Sequence, residues 1–227
     1  MPYQWILFDA DNTLLDFTRS EGEALQLAFT QAGRPFDESH RALYHQINKS
    51  CWEAFEQGAL PKAQLRTRRF ELFFKAIGWR EDEEHFAASY LAHLGQTGHL
   101  VEGAQALLQA LKGRYQLALV TNGLKEVQRP RLSRAGIDSF FQAIVVSDEI
   151  GYSKPDAAFF EFTFRQIGHP PKEAVLMVGD NLNADIRGGE GYGIPTCWYN
   201  PSKQENDGLA RPRYEIGKLE ELLDLLE

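Results

Sequence analysis

Five very short, largely apolar runs punctuate this chain: Trp5-Ile6-Leu7-Phe8, Leu117-Ala118-Leu119-Val120, Ala143-Ile144-Val145-Val146, Val175-Leu176-Met177-Val178 and Thr196-Cys197-Trp198-Tyr199. Runs this short and this apolar read as strands buried on both faces, the environment of a parallel sheet. Helical patterns separate them. Residues 104 to 111 carry Leu107, Leu108 and Leu111 on one face, and residues 159 to 167 repeat Phe160, Phe164 and Ile167 at helical spacing. Residues 219 to 226 give a further amphipathic helix, expected to pack on the sheet. Strands alternating with such helices predict an α/β fold with a doubly wound, Rossmann-like parallel sheet.

The stretch from about residue 18 to 95 contains no strand run. It carries four amphipathic patterns at the period of a helix. Their apolar stripes are Ala24, Leu25, Ala28 and Phe29; then Leu43, Ile47, Cys51 and Phe55, ending at Gly58; then Leu65, Phe70, Phe73, Phe74 and Ile77, opened by Pro61; then Phe86, Tyr90, Leu91 and Leu94. This predicts a four-helix cap inserted directly after the first strand and turn. The expected division is a core domain of residues 1–16 and 96–227 and a helical cap of residues 17–95. The aromatic stripes are expected to form the cap's own core.

A length of 227 residues suits one large domain or a domain with an insert. The net charge of −8 argues against non-specific nucleic-acid binding. An acidic chain that takes an anionic substrate must concentrate positive charge locally, and a bound metal ion helps. Two cysteines, Cys51 and Cys197, suggest neither a disulfide framework nor a thiolate metal site. Acidic residues stand where a signal peptide would be apolar, and no stretch approaches the ~20 apolar residues of a membrane span. A cytoplasmic chain is the expectation, and a monomer requires no further assumption.

Ligand sites in open α/β sheets lie beyond the carboxyl ends of the strands. The first run leads into Asp9-Ala10-Asp11-Asn12-Thr13, which in isolation reads equally as a helix cap. The second leads into Thr121-Asn122-Gly123, and the third through Ser147-Asp148-Glu149 to Ser153-Lys154-Pro155-Asp156. The fourth ends in Gly179-Asp180-Asn181-Leu182-Asn183-Ala184-Asp185. Carboxylates at two strand ends, with a hydroxyl and a lysine at two others, describe a site for a metal ion and a phosphoryl group. Mg²⁺, with Mn²⁺ as its alternative, would take oxygens from Asp9, Asp180 and the backbone of Asp11. Thr121, Asn122 and Lys154 would hold the phosphoryl oxygens. Asp9 could attack phosphorus to give an aspartyl-phosphate, and Asp11 could protonate the leaving oxygen and then activate water.

These four segments, in this order, resemble the four motifs of the haloacid dehalogenase superfamily, and the resemblance covers the whole chain. It implies Asp9 as nucleophile, Asp11 as acid and base, Thr121 and Lys154 as phosphate binders and Asp180 as metal ligand. Asn181 and Asp185 become supports behind them, and the sheet order becomes 3-2-1-4-5 with Asp9 on the central strand. Dehalogenases need no leaving-group acid and lack an aspartate at the position of Asp11. Its presence therefore favours a phosphatase or phosphomutase.

Within the superfamily the chain looks most like the pyrimidine 5′-nucleotidases that clear non-standard nucleotides. That likeness rests on residues 5–11 and 176–180, and on Asp185-Ile186-Arg187-Gly188-Gly189 through Thr196-Cys197-Trp198. It implies hydrolysis of a uracil- or thymine-bearing nucleoside 5′-monophosphate. Phe17, at the start of the cap, is a candidate for stacking on the base. Trp52 is expected in the cap core, and Arg66, Arg68 and Arg69 on a solvated face. Cys197 and His169 read as structural. Two rival readings keep the same strand ends: a phosphatase or mutase for small sugar phosphates or phosphoglycolate, and a non-catalytic phosphoacceptor of the receiver type.

Overall fold

In the computed structural model, which describes residues 3–206 and 208–226, the chain divides into two compact units. One runs to Asp16 and resumes at Gly98; the other is Phe17–Thr97.

The first unit is built on parallel strands β1 (Trp5–Phe8), β2 (Gln116–Thr121), β3 (Ala143–Val146), β4 (Val175–Gly179), β5 (Thr196–Tyr199) and β6 (Tyr214–Ile216). Their order is β3-β2-β1-β4-β5-β6. The five expected strands lie in the expected order, and β6 extends the sheet beyond β5. This last strand is three residues long with Glu215 at its centre, too short and too polar for the pattern that exposes the other five. Phe8 sits level with Leu119 of β2 and Val178 of β4, so the carboxyl ends of these three neighbours open at the same height. Alternation along the strands sends Ile6, Phe8, Leu117, Leu119, Leu176 and Val178 into one apolar layer. Leu7, Ala118, Val120, Val175 and Met177 enter the other.

The second unit consists of α1 (Phe17–Gln31), α2 (Glu38–Glu56), α3 (Lys62–Ile77) and α4 (Glu83–Leu94). Asp37 caps α2 by accepting from the Ser39 and His40 amides, while the His40 ring accepts from the Asp37 amide. Gly78, at φ 69°, ends α3 in the left-handed conformation that glycine adopts without strain. The interior is aromatic: Phe29, Phe70, Phe73, Phe74, Trp79, Phe86, Tyr44 and Tyr90 meet edge-on or stacked. On α2 the deepest stripe is Tyr44, Asn48 and Cys51, one residue round from the expected one. It brings a buried polar network with it. Glu21 of α1 accepts from the Asn48 amide at 2.7 Å and pairs with His45 at 2.7 Å, and Asn48 accepts from Arg69 at 3.0 Å. Arg69 therefore departs from the expected solvated face. It is 2% exposed and lies over the Tyr90 ring, whereas Arg68 points outward to Glu71.

The sheet unit adds α5 (Ala104–Leu111), α6 (Lys125–Arg134), α7 (Ser147–Ile150), α8 (Ala157–Gln166), α9 (Gly188–Tyr192) and α10 (Glu221–Leu226). Leu107, Leu108 and Leu111 of α5 join Leu222 and Leu226 of α10 on one layer. Phe159, Phe160 and Phe164 of α8 cover the other. Helix α6 has no apolar stripe; its inner face is Val127, Gln128, Arg131 and Leu132. Among the described residues no helix is long and apolar enough to cross a membrane.

Candidate active site

The turn after β1 carries Asp9, the turn after β4 carries Asp180, and Asp185 follows on a π-helical turn, Leu182–Arg187. Asp9, Asp180 and Asp185 each present a carboxylate oxygen within 4.8 Å of the others. Lys154 reaches this cluster from the segment between α7 and α8. Its buried ammonium donates to Asp9 Oδ1 at 2.6 Å, Asp185 Oδ1 at 2.7 Å and the Val120 carbonyl at 2.8 Å. All three of its hydrogens are thereby engaged.

The charge balance is lopsided. One ammonium stands among two buried carboxylates and the half-buried Asp180, so like-charge repulsion is relieved only in part. Burial pushes the Asp9 carboxyl up to about 7, with Lys154 opposing and Asp185 and Asp11 adding to the rise. Burial and the charges of Asp9 and Asp185 raise Asp180 well above the ordinary carboxylate range. Burial alone would lower Lys154, but Asp185 and Asp9 outweigh it and hold the ammonium above its ordinary value. An all-oxygen donor set of hard carboxylates with surplus negative charge suits a small divalent cation such as Mg²⁺.

The remaining residues hold this cluster in place. Thr13 donates to Asp180 Oδ1 at 3.2 Å, and the Trp198 indole donates to the Asp180 carbonyl at 2.9 Å. Asn181 accepts from the amides of Asn183 and Ala184, both at 2.9 Å, and its own amide donates to Asp185 Oδ2 at 3.1 Å. Gly179 is glycine because a Cβ there would collide with the Asp185 carboxylate. The Asn122 side chain brackets Lys154, donating to its carbonyl and accepting from its amide, each at 2.8 Å. It serves the lysine segment rather than the carboxylates.

Asp11 turns away from the cluster toward α6. Its Oδ1 accepts from Arg131 Nη1 at 2.5 Å and its Oδ2 from Gln128 Nε2 at 2.6 Å. Gln128 Nε2 also donates to Thr121 Oγ1 at 2.9 Å. Neither Gln128 nor Arg131 belongs to the strand-end motifs. Their three-residue spacing, which puts two long polar side chains on one helix face, was the available signal. Phe17 opens α1 in the helical unit and is half-buried. Trp52 is also half-buried, with its ring edge-on to Phe55. Cys197 lies in the sheet core, whereas His169 is exposed in a turn at φ 53°.

A family model described as "haloacid dehalogenase-like hydrolase" matches residues 3–193. The chain is 38% identical to the pyrimidine 5′-nucleotidase PynA of Streptococcus pneumoniae, over all of this chain and 96% of that one. It is 33% identical to the pyrimidine 5′-nucleotidase YjjG of Escherichia coli, over all of this chain and 99% of that one. The magnesium-bound crystal structure of YfnB from Bacillus subtilis superposes with a TM-score of 0.96 at 36% identity, with both chains fully covered. Matches of this extent, on a sheet whose strand ends gather Asp9, Lys154, Asp180 and Asp185, place the chain in one family: it belongs to the haloacid dehalogenase-like hydrolases.

Proposed function

We propose that this hydrolase removes phosphate from pyrimidine nucleoside 5′-monophosphates through an aspartyl-phosphate on Asp9. The observation that carries the reaction class is the cluster of Asp9, Asp180 and Asp185 at the strand ends, two of them bonded to a single buried lysine. The substrate class rests on the full-length similarity to PynA and YjjG.

In this reading an Asp9 oxygen attacks phosphorus while the bond from phosphorus to the ester oxygen breaks, and Asp11 gives that oxygen its proton. The nucleoside leaves. Asp11 then takes a proton from water, which attacks phosphorus. The bond to Asp9 breaks, releasing phosphate and restoring the carboxylate. Lys154 contributes positive charge beside Asp9, and Thr121 a hydroxyl for a phosphoryl oxygen. The Asn122 side chain is engaged with Lys154, so a phosphoryl contact from this residue falls to its backbone. Mg²⁺ held by Asp9, Asp180 and the Asp11 carbonyl would offset the charge of the carboxylates and the phosphoryl oxygens together. The magnesium-bound YfnB structure supports that choice of ion. Asp185 would stay on Lys154 and the Asn181 amide as a support. The helical unit is the proposed cap, with Phe17 as its candidate contact to the base.

The test is a panel of phosphate monoesters with Mg²⁺. Turnover of UMP, dUMP and TMP well above sugar phosphates and phosphoglycolate is expected. Uniformly poor turnover of the three nucleotides would sink the nucleotidase reading while leaving the phosphatase reading standing.

A further inference from the structure

Helix α6 contributes two buried polar side chains that the motifs do not account for, and both reach the residues that handle protons and phosphoryl oxygens. Arg131 is fully buried and Gln128 is 1% exposed. Burying such groups is costly unless they find partners. Here the contacts form a closed ring. Arg131 Nη1 donates to Asp11 Oδ1 at 2.5 Å and to Gln128 Oε1 at 3.1 Å, and Gln128 Nε2 donates to Asp11 Oδ2 at 2.6 Å. The orientation of the Gln128 amide is over-determined: guanidinium offers only donors and carboxylate only acceptors, so oxygen must face Arg131 and nitrogen Asp11.

The second hydrogen of Gln128 Nε2 goes to Thr121 Oγ1 at 2.9 Å, and the Gly123 amide donates to the same oxygen at 3.1 Å. With two donors on its oxygen, the Thr121 hydroxyl has both lone pairs filled. Its own proton is left to point away from α6, free for a phosphoryl oxygen. The Asp11 side chain keeps 29% of its surface exposed while both of its carboxyl oxygens are held. A Cβ on Gly123 would run into the Gln128 amide and stem, which explains glycine at that position.

We propose that Gln128 and Arg131 are positioning residues that aim the Asp11 carboxyl and the Thr121 hydroxyl as one rigid unit. The inference rests on the phosphatase reading above. Its test exploits the leaving group. An alkyl ester such as UMP needs a proton on its departing oxygen, whereas p-nitrophenyl phosphate departs as a phenolate without one. Gln128→Ala is expected to lower kcat/KM by ~10²-fold for UMP, or for whichever alkyl monoester the wild type turns over fastest. For p-nitrophenyl phosphate the expected loss is under ~10-fold, reflecting Thr121 alone. Arg131→Lys, which keeps a charged donor, should retain more alkyl-ester activity than Arg131→Met. Melting curves identify any variant that fails to fold, and Gln128→Ala carries the test if Arg131→Met does. Equal losses on both esters, no loss, or faster alkyl-ester turnover would overturn this inference alone. A wild-type chain that hydrolyses no monoester would overturn the phosphatase reading and this inference with it.

Discussion

Each unit of this protein buries an ionic network, and the two are balanced in opposite ways. In the helical unit one carboxylate, Glu21, meets the Arg69 guanidinium through Asn48 and touches His45 directly. In the sheet unit two carboxylates, Asp9 and Asp185, share one lysine, and a third, Asp180, stands beside them. The first network matches its charges, although Arg69 Nη2 finds no partner, and its polar groups tie α1, α2 and α3 together around an aromatic interior. The second retains surplus negative charge that the chain does not neutralise. A buried network whose charges are matched specifies packing; one left charged is set up for something from outside.

Removing the proposed nucleophile gives the largest expected effect. Asp9→Asn should lower turnover by on the order of 10⁴-fold or more, with the melting transition retained. Activity surviving in that variant would refute the role of Asp9 and reduce the sheet-unit cluster to a structural one.

Breaking the balanced network comes next. Glu21→Leu strips Arg69 of its buried counter-charge and should destabilise the protein by about 3 kcal/mol, read from denaturant unfolding. A loss within error would mean that the helical unit does not depend on this network.

Mg²⁺ tests the unbalanced one. At a hundredfold excess over its Kd the ion should stabilise the wild type by about 2.7 kcal/mol, seen as a higher melting midpoint, and Asp180→Asn should lose most of that gain. Equal stabilisation of both chains would place the ion elsewhere.

Gly123→Ala pushes a Cβ into Gln128 and should cost about 1–2 kcal/mol of stability. It should also reproduce, more weakly, the selective loss on alkyl esters.

The smallest effect concerns His45, whose pKa the hydrogen bond to Glu21 raises above 6.5 against the opposing influence of burial. A group raised on folding adds stability that is complete below its unfolded value and is lost as pH rises through its folded value. Stability should therefore fall slightly as pH rises above 6.5. The His45 side chain is partly exposed, so the change should stay below ~1 kcal/mol and vanish in His45→Gln.

The strand ends were legible because four-residue apolar runs leave little choice of environment, and the residues that follow them must emerge at the sheet's active edge. Strand β6 and helix α6 were not. Tyr214–Ile216 alternates around a glutamate over three residues, and the inner face of α6 interleaves Gln128 and Arg131 with Val127 and Leu132, so neither produces an apolar period. The run Arg66, Arg68 and Arg69 misled for a related reason. Charge alone does not say which arginine turns inward, and Arg69 does so because Asn48 and the Tyr90 ring receive it.

By itself, then, the sequence determined the parallel sheet, the inserted helices and the gathering of Asp9, Thr121, Lys154 and Asp180 at one edge, because hydrophobic periodicity and chain order suffice for those. The tertiary structure decided where the polar side chains point. Asp11 is held by residues 117 and 120 positions away, Asn122 turns to a backbone 32 positions away, and Lys154 spends all three hydrogens within the chain. Such directions follow from which donor and acceptor meet across the fold, and no local pattern records that.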